Sequence, residues 1–289
     1  MFRIPTLSSI VETSDRGTRL KIGRHDETRS AISTSNAETI LVRGHDLTSE
    51  LIGKISFTDH FWLLLTGDYP SAAQRRVLDA TLVAIAEHGL VPSVQAARMT
   101  LAAAPEALQG AVAAGILGCG SVILGSSEAA GRFFASIAAQ FNGGISIEKA
   151  ATDVVLNYSS SKRPIPGFGH PLHKGYDPRA RRLFQVAAEA GCAGIHGEIA
   201  QAVEKLLPTL IGKRLALNVS GAIPAVLLDA GFPLLALKGV PILARAASLI
   251  AHLLEEQQRP IGFAISHAGA KAVQYDGPAP DGFRSSDNT

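Results

Sequence analysis

Residues 162–180 read KRPIPGFGHPLHKGYDPRA, and the rest of the chain is best understood outward from this stretch. Gly167 and Gly169 let the backbone come close to a ligand, while Pro164 and Pro166 stiffen the approach to them. His170 follows at once, where an imidazole can exchange a proton with a reacting oxygen near neutral pH. Lys162, Arg163 and Lys174 add positive charge suited to phosphates. Asp177 and Pro178 form an N-cap followed by a proline at the first helical position. Arg179 then falls in the first turn of that helix, where a cation opposes the helix dipole unless an anion lies nearby. On these residues alone two readings stay open, a ligand-binding loop and a solvated surface loop with a capping histidine.

On either side the hydrophobic period is helical nearly throughout. Phe57–Thr66 is bounded by Ser56 or Thr58 and by Gly67; Ser71 opens a helix that Gly89 closes; Ser93 opens the next, and another follows Pro105. SSEAAGRFFASIAAQF begins on a Ser/Glu capping pattern and ends at Gly143-Gly144. IEKAATDVVLNY, the DPRARRLFQVAAEAG segment, IHGEIAQAVEKLL and ILARAASLIAHLLEEQQ repeat the logic, the last ending at Arg259-Pro260. Strand alternation is confined to short pieces such as ETILVRG, and residues 1–35 and the tail after Asp276 read as loosely ordered.

Hydrophobic residues make up 46% of the 289 and charged residues 18%, enough apolar material for a sizeable core. A net charge of +2, with basic residues alternating with acidic ones, argues against a nucleic-acid surface. Cys119 and Cys192 fit no disulfide or metal spacing, so a reduced, cytoplasmic protein is expected. The N-terminus lacks an apolar signal segment, and charges such as Asp59, Glu87, Asp229 and Lys238 interrupt the longest apolar runs. A soluble protein without membrane spans is the expectation.

PGFGHPLHKGYDPRA resembles the signature of citrate synthases and of the related citryl-CoA lyase modules. Three further segments are similar to that family in the same order: RGHDLTSELIGKISFTDHFWLLLTGDYPS, AEHGLVPSVQAAR and ILARAASLIAHLLEE, so the resemblance spans roughly residues 40–277. It implies an all-α citrate synthase fold, with a large helical domain from residues 1–125 and 226–289 and a smaller helical domain from 126–225. It implies a coenzyme A thioester and a polycarboxylate as substrates, no metal or tightly bound cofactor, and a homodimer with shared active sites.

Carried over by position, the catalytic histidine is His170, and Pro166, Gly167, Phe168 and Gly169 contact coenzyme A, with Lys213 and Arg214 joining that set. His88, Arg179 and Arg245 hold the polycarboxylate, and Arg259 reaches into the partner's site. Arginine suits this task because its planar fork pairs bidentately with a carboxylate. His25, His45, His60, His196 and His252 are read as structural or solvated, and His173 and His267 receive no role.

Two positions depart from the family. Ile123 stands where synthases carry a histidine that helps form the acetyl-CoA enol, a loss shared with the lyase module resembling ATP-citrate lyase. Ser220 stands where they carry the aspartate base, and a serine hydroxyl is no carboxylate base at neutral pH. The expected activity is therefore citryl-CoA cleavage to acetyl-CoA and oxaloacetate or a similar oxoacid. The alternatives are a synthase-type condensation, and a coenzyme A or polycarboxylate binder that no longer turns over.

Overall fold

The computed structural model describes residues 29–120, 126–169 and 175–282. Two compact units divide the chain after Glu50. In the first, Ser33–Ser35 (β1), Ile40–Val42 (β2) and His45–Asp46 (β3) form a three-stranded antiparallel sheet in sequence order. The ETILVRG reading is met in β2, and residues 29–35, expected to be loose, include a strand.

The second unit is built of helices. Phe57–Thr66 (α1) and Ala72–Ala86 (α2) each start on a reciprocal capping box, Ser56 with Asp59 and Ser71 with Gln74. Gly67 ends α1 at φ 87°, a left-handed conformation that glycine adopts without a Cβ penalty. There follow Pro92–Ala103 (α3), Leu108–Leu117 (α4), Ser126–Asn142 (α5), Ile147–Ser160 (α6), Pro178–Glu189 (α7) and Ile195–Ile211 (α8). Val219–Asp229 (α9), Gly239–Gln258 (α10) and Gly262–Ala272 (α11) complete the order.

Several boundaries differ from the sequence reading. Helix α2 stops at Ala86 rather than Gly89, because the Glu87 carboxylate takes the His88 and Gly89 N–H groups and pulls the chain out of the helix. Pro92, not Ser93, begins α3; α4 starts three residues beyond Pro105. Helix α8 runs on through Pro208, and α9 continues through Pro224, which lacks the N–H that would bond the Ser220 carbonyl.

Three clusters make the core. Helices α5, α6 and α8 bury Phe133, Phe134, Ile137, Ile199, Val203 and Leu207. A second cluster joins Trp62 of α1, Leu78 of α2, Leu183 of α7 and Val240 of α10 around α9. Helix α9 is buried on nearly every face: Ala225 belongs to the first cluster, while Ile223 and Leu227 belong to the second. In the third, α3 and α4 pack on Leu249 and Leu253 of α10. At Gly115 a Cβ would lie 2.6 Å from Leu249 Cδ1, so glycine sets how closely α4 meets α10.

The segment Leu234–Gln258 has the length and hydropathy of a bilayer-crossing helix, which the break at Lys238 obscures in the sequence. In this fold one face of α10 packs into the core, with Val240, Ala244, Arg245, Leu249 and Leu253 buried, while Ile250 and Leu254 on the other side are exposed.

The corner between α10 and α11 is fixed by a buried ion pair. Arg98 Nε donates to Glu256 Oε2 at 2.6 Å, its Nη1 to Glu255 at 2.8 Å and its Nη2 to the Arg259 carbonyl at 3.1 Å. Glu256 Oε1 also accepts the N–H groups of Ile261 and Gly262. Burial raises the Glu256 carboxyl, but the Arg98 hydrogen bond and these two N–H groups outweigh it and hold the pKa below the ordinary value. Glu256→Gln leaves the Arg98 guanidinium, 3% exposed, short of its partner, and is expected to cost about 3–5 kcal/mol. Urea denaturation of the variant against the parent measures this; a change under about 1 kcal/mol contradicts the role given to the pair.

Candidate active site

The glycine-rich stretch is clasped against the entry to α9. Phe168 and Leu217 form an antiparallel bridge, in which Gly169 N–H donates to the Ala216 carbonyl at 2.7 Å and Asn218 N–H to the Gly167 carbonyl at 3.0 Å. Asn218 works twice more: its Nδ2 donates to the Gly169 carbonyl at 2.6 Å, and its Oδ1 caps α9 by accepting from Gly221 N–H. Gly167, at φ 86°, and Gly221 are in backbone contact; a Cβ on Gly221 would lie 2.6 Å from the Gly167 oxygen. Phe168 is buried edge-on against Phe134. The chain therefore emerges at Gly169 in a fixed direction. His170, the expected catalytic residue, follows it but lies outside the described residues, as do Ile123, His173, Lys174 and His25.

Asp177 ties α7 to the same place. Its Oδ2 accepts from Val219 N–H at 2.9 Å, the first residue of α9, and its Oδ1 accepts from Arg179 N–H at 3.0 Å. Arg179 closes on it with Nε at 3.1 Å and Nη2 at 2.9 Å. Burial raises the Asp177 carboxyl, and the Arg179 and Val219 donors more than reverse this, leaving it lowered. Arg179 is thus tied to the clasp through Asp177, with two of its side-chain donors committed to that carboxylate of the chain itself. Ser220 is the second residue of α9, half-buried, next to Gly221 and two residues beyond Asn218.

A second constellation surrounds Arg245. This side chain is only 2% exposed, and its Nε and Nη1 have no hydrogen-bond partner among the described residues. Burial lowers its pKa, with the Glu87 carboxylate and the Cys119 thiol acting in the opposite sense. Ser93, fully buried at the start of α3, likewise presents an Oγ without a partner in hydrogen-bonding geometry. Burial also pushes the Cys119 thiol up, while Arg245 and Ser93 pull it down, so the three groups sit within one electrostatic neighbourhood. A buried guanidinium with unused donors and a buried hydroxyl beside it form a site whose natural complement is a carboxylate.

His88 lies in the exposed turn after α2, its N–H held by Glu87. Arg259 caps the end of α10; its side chain is 81% exposed, 3.8 Å from Glu255, and forms no part of either constellation. Lys213 lines a cavity of about 480 Å3 together with Lys162, Arg163, Phe168 and Leu215, while Arg214 is exposed beside it. In that groove Arg163 stacks 4.0 Å over the Tyr158 ring, and Phe168 belongs to the expected coenzyme A contacts.

Several residues escaped the sequence reading. Asn218 was legible as a helix cap, but its reach to Gly169 spans 49 positions. His252, read as structural or solvated, has its Nε2 2.9 Å from Glu87 Oε2. His196 is paired to Asp229, which also takes the His196 and Gly197 N–H groups at the start of α8.

Comparison with known proteins agrees with this architecture. Residues 72–262 match the family model described as citrate synthase, C-terminal domain. The chain is 27% identical over 265 residues to a citrate synthase of Deinococcus radiodurans, covering 86% of this chain and 68% of that protein. It is 33% identical to the structure of citryl-CoA lyase from Hydrogenobacter thermophilus, with TM-score 0.77 over 89% of this chain and 97% of that one. ATP citrate lyase of Methanothrix soehngenii, solved with citrate and coenzyme A, shares the fold at TM-score 0.72 and 23% identity, and the chain covers 46% of it. This chain belongs to the citrate synthase family, and it is citryl-CoA lyase-like.

The clasp gives a pH-dependent expectation. Asp177→Asn removes a charged acceptor and should cost roughly 1.5–3 kcal/mol at neutral pH. Because the folded-state pKa of Asp177 is lowered, its contribution is present above the ordinary carboxylate range and is lost as pH falls through the lowered value. Stability curves of parent and variant should therefore converge in acid; a gap that stays constant down to the parent's acid unfolding contradicts the assignment.

Proposed function

We propose that this protein is a carbon–carbon lyase that cleaves citryl-CoA, or a similar 3-hydroxyacyl-CoA, to acetyl-CoA and a 2-oxoacid. The observation that carries the reading is Arg245, buried and with Nε and Nη1 unpartnered among the described residues, donors that a substrate carboxylate would satisfy. The 33% identity and near-complete mutual coverage with a citryl-CoA lyase support cleavage over the other chemistries of the family. The groove of Lys162, Arg163 and Lys213 beside Phe168 supplies cations and an apolar wall suited to a coenzyme A phosphate and its attached chain.

In this reading His170 takes the proton of the tertiary hydroxyl. The hydroxyl oxygen becomes the oxoacid carbonyl as the carbon–carbon bond breaks, and the electron pair passes to the thioester as its enolate. A proton must then return to the enolate carbon. Ser220 cannot deliver it as a carboxylic acid would, so water is left with that step, a deficit of about 10²–10⁴-fold where a general acid is missing. Ser220 also favours a second reading, a protein that binds coenzyme A or a polycarboxylate without turnover.

The reading includes a homodimer and a smaller domain over 126–225 that closes on the substrate. Exposed apolar side chains on α3, α4, α10 and α11, among them Met99, Leu117, Ile250, Leu254 and Phe263, support a covering partner, and the outward Arg259 suits a shared site. The free thiols Cys119 and Cys192 fit a cytoplasmic setting.

Citryl-CoA cleavage followed as oxaloacetate with malate dehydrogenase is expected to proceed slowly, to vanish in His170→Ala, and to rise at least tenfold in Ser220→Asp. No cleavage in either the parent or Ser220→Asp, with citrate still bound, favours the non-catalytic reading. Mixing His170→Ala with Arg259→Ala protomers should restore part of the parent activity, since one site of each hybrid dimer is intact. Hybrids as inactive as their parts contradict the shared site.

A further inference from the structure

Glu87 presents a problem that its hydrogen bonds answer. Its Oε2 accepts from the Ser248 hydroxyl, and Ser248 is three residues beyond Arg245 on α10, so the carboxylate meets the helix one turn from Arg245, whose Nε and Nη1 have no hydrogen-bond partner among the described residues. A buried arginine beside a carboxylate normally closes on it, because pairing offsets the desolvation of the guanidinium, here 2% exposed, while the Glu87 side chain is half-exposed. Glu87 does not close on Arg245. Its Oε1 accepts from the N–H groups of His88, at 2.9 Å, and Gly89; its Oε2 accepts from Ser248 Oγ and meets His252 Nε2 at 2.9 Å. A carboxylate offers about four lone-pair sites, and all are engaged.

We propose that Ser248, His252 and the His88–Gly89 backbone tether Glu87 away from Arg245, so that the Arg245 fork stays open for a carboxylate of the ligand. Ser248 and His252 are then positioning residues, and Glu87 is a held counter-charge that balances Arg245 without occupying it. The same tether orients the turn carrying His88, since Glu87 binds that residue's N–H directly. The inference rests on the reading of Arg245 as a carboxylate site. It adds that the site competes with a carboxylate of its own chain, which two side chains of α10 keep from winning.

Two measurements test it. The first needs no ligand: in a crystal structure of Ser248→Ala/His252→Ala, a Glu87 oxygen should lie within hydrogen-bonding distance of Arg245 Nε or Nη1. Glu87 still turned away from Arg245 overturns the tether. The second is calorimetric titration with citrate of the parent, this double variant and the triple variant that adds Glu87→Gln, each checked for an intact melting transition. The double variant should bind citrate about tenfold more weakly, roughly 1.4 kcal/mol, because Glu87 now competes. The triple variant should recover most of that loss, since an amide is a poor rival for the guanidinium. An unchanged double variant, or a triple variant weaker still, overturns the proposal. A parent that binds no citrate, with Glu87 closed on Arg245 in the double variant, overturns the citrate reading of the site and leaves the tether standing.

Discussion

Sealing a guanidinium in a protein interior is costly unless an opposite charge or a full set of acceptors meets it. Arg245 is sealed to 2% exposure in the first half of α10, the longest helix among the described residues, and its Nε and Nη1 meet no acceptor there. On the same helix Leu249 and Leu253 belong to the third core cluster, and Gly115 lets α4 come against Leu249. Cys119 and Glu87 act on its charge electrostatically, Glu87 being held at Ser248, one helical turn along α10 from Arg245. The Arg245 charge is thus balanced at a distance while Nε and Nη1 stay dry and unused among the described residues, an arrangement suited to a ligand anion.

The glycine clasp follows a similar logic with backbone instead of charge. Gly167 and Gly221 touch where no Cβ fits, and Asn218 holds the Gly169 carbonyl while capping α9. Asp177 draws the first turn of α7 to the first residue of α9. The 167–169 stretch and Asp177 are thus both locked by hydrogen bonds to the entry of α9, some 40 to 50 positions further on.

How much of this the sequence disclosed depends on the range of each interaction. Capping boxes at Ser56 and Ser71 and the Asp177-Pro178 start were legible because cap and partner lie within three residues. Helix α9 was hidden by Pro224, tolerated because tertiary burial on nearly every face outweighs one lost backbone bond. The Arg98–Glu256 and Glu87–Ser248 contacts join residues about 160 positions apart, and no local pattern announces them. Of the candidate site, the family resemblance pointed to Arg245 and to the 166–169 loop; the fold buries the first and bridges the second to Leu217, features that the sequence does not show. Arg179 also came through the resemblance, yet its commitment to Asp177 was visible only in the fold.

A crystal structure grown with citrate and coenzyme A asks the central question most directly: what anion does Arg245 serve? The account predicts a citrate carboxylate within hydrogen-bonding distance of Arg245 Nε and Nη1, with Glu87 still held by Ser248 and His252. Citrate bound elsewhere, with Arg245 still lacking a ligand carboxylate, would contradict it.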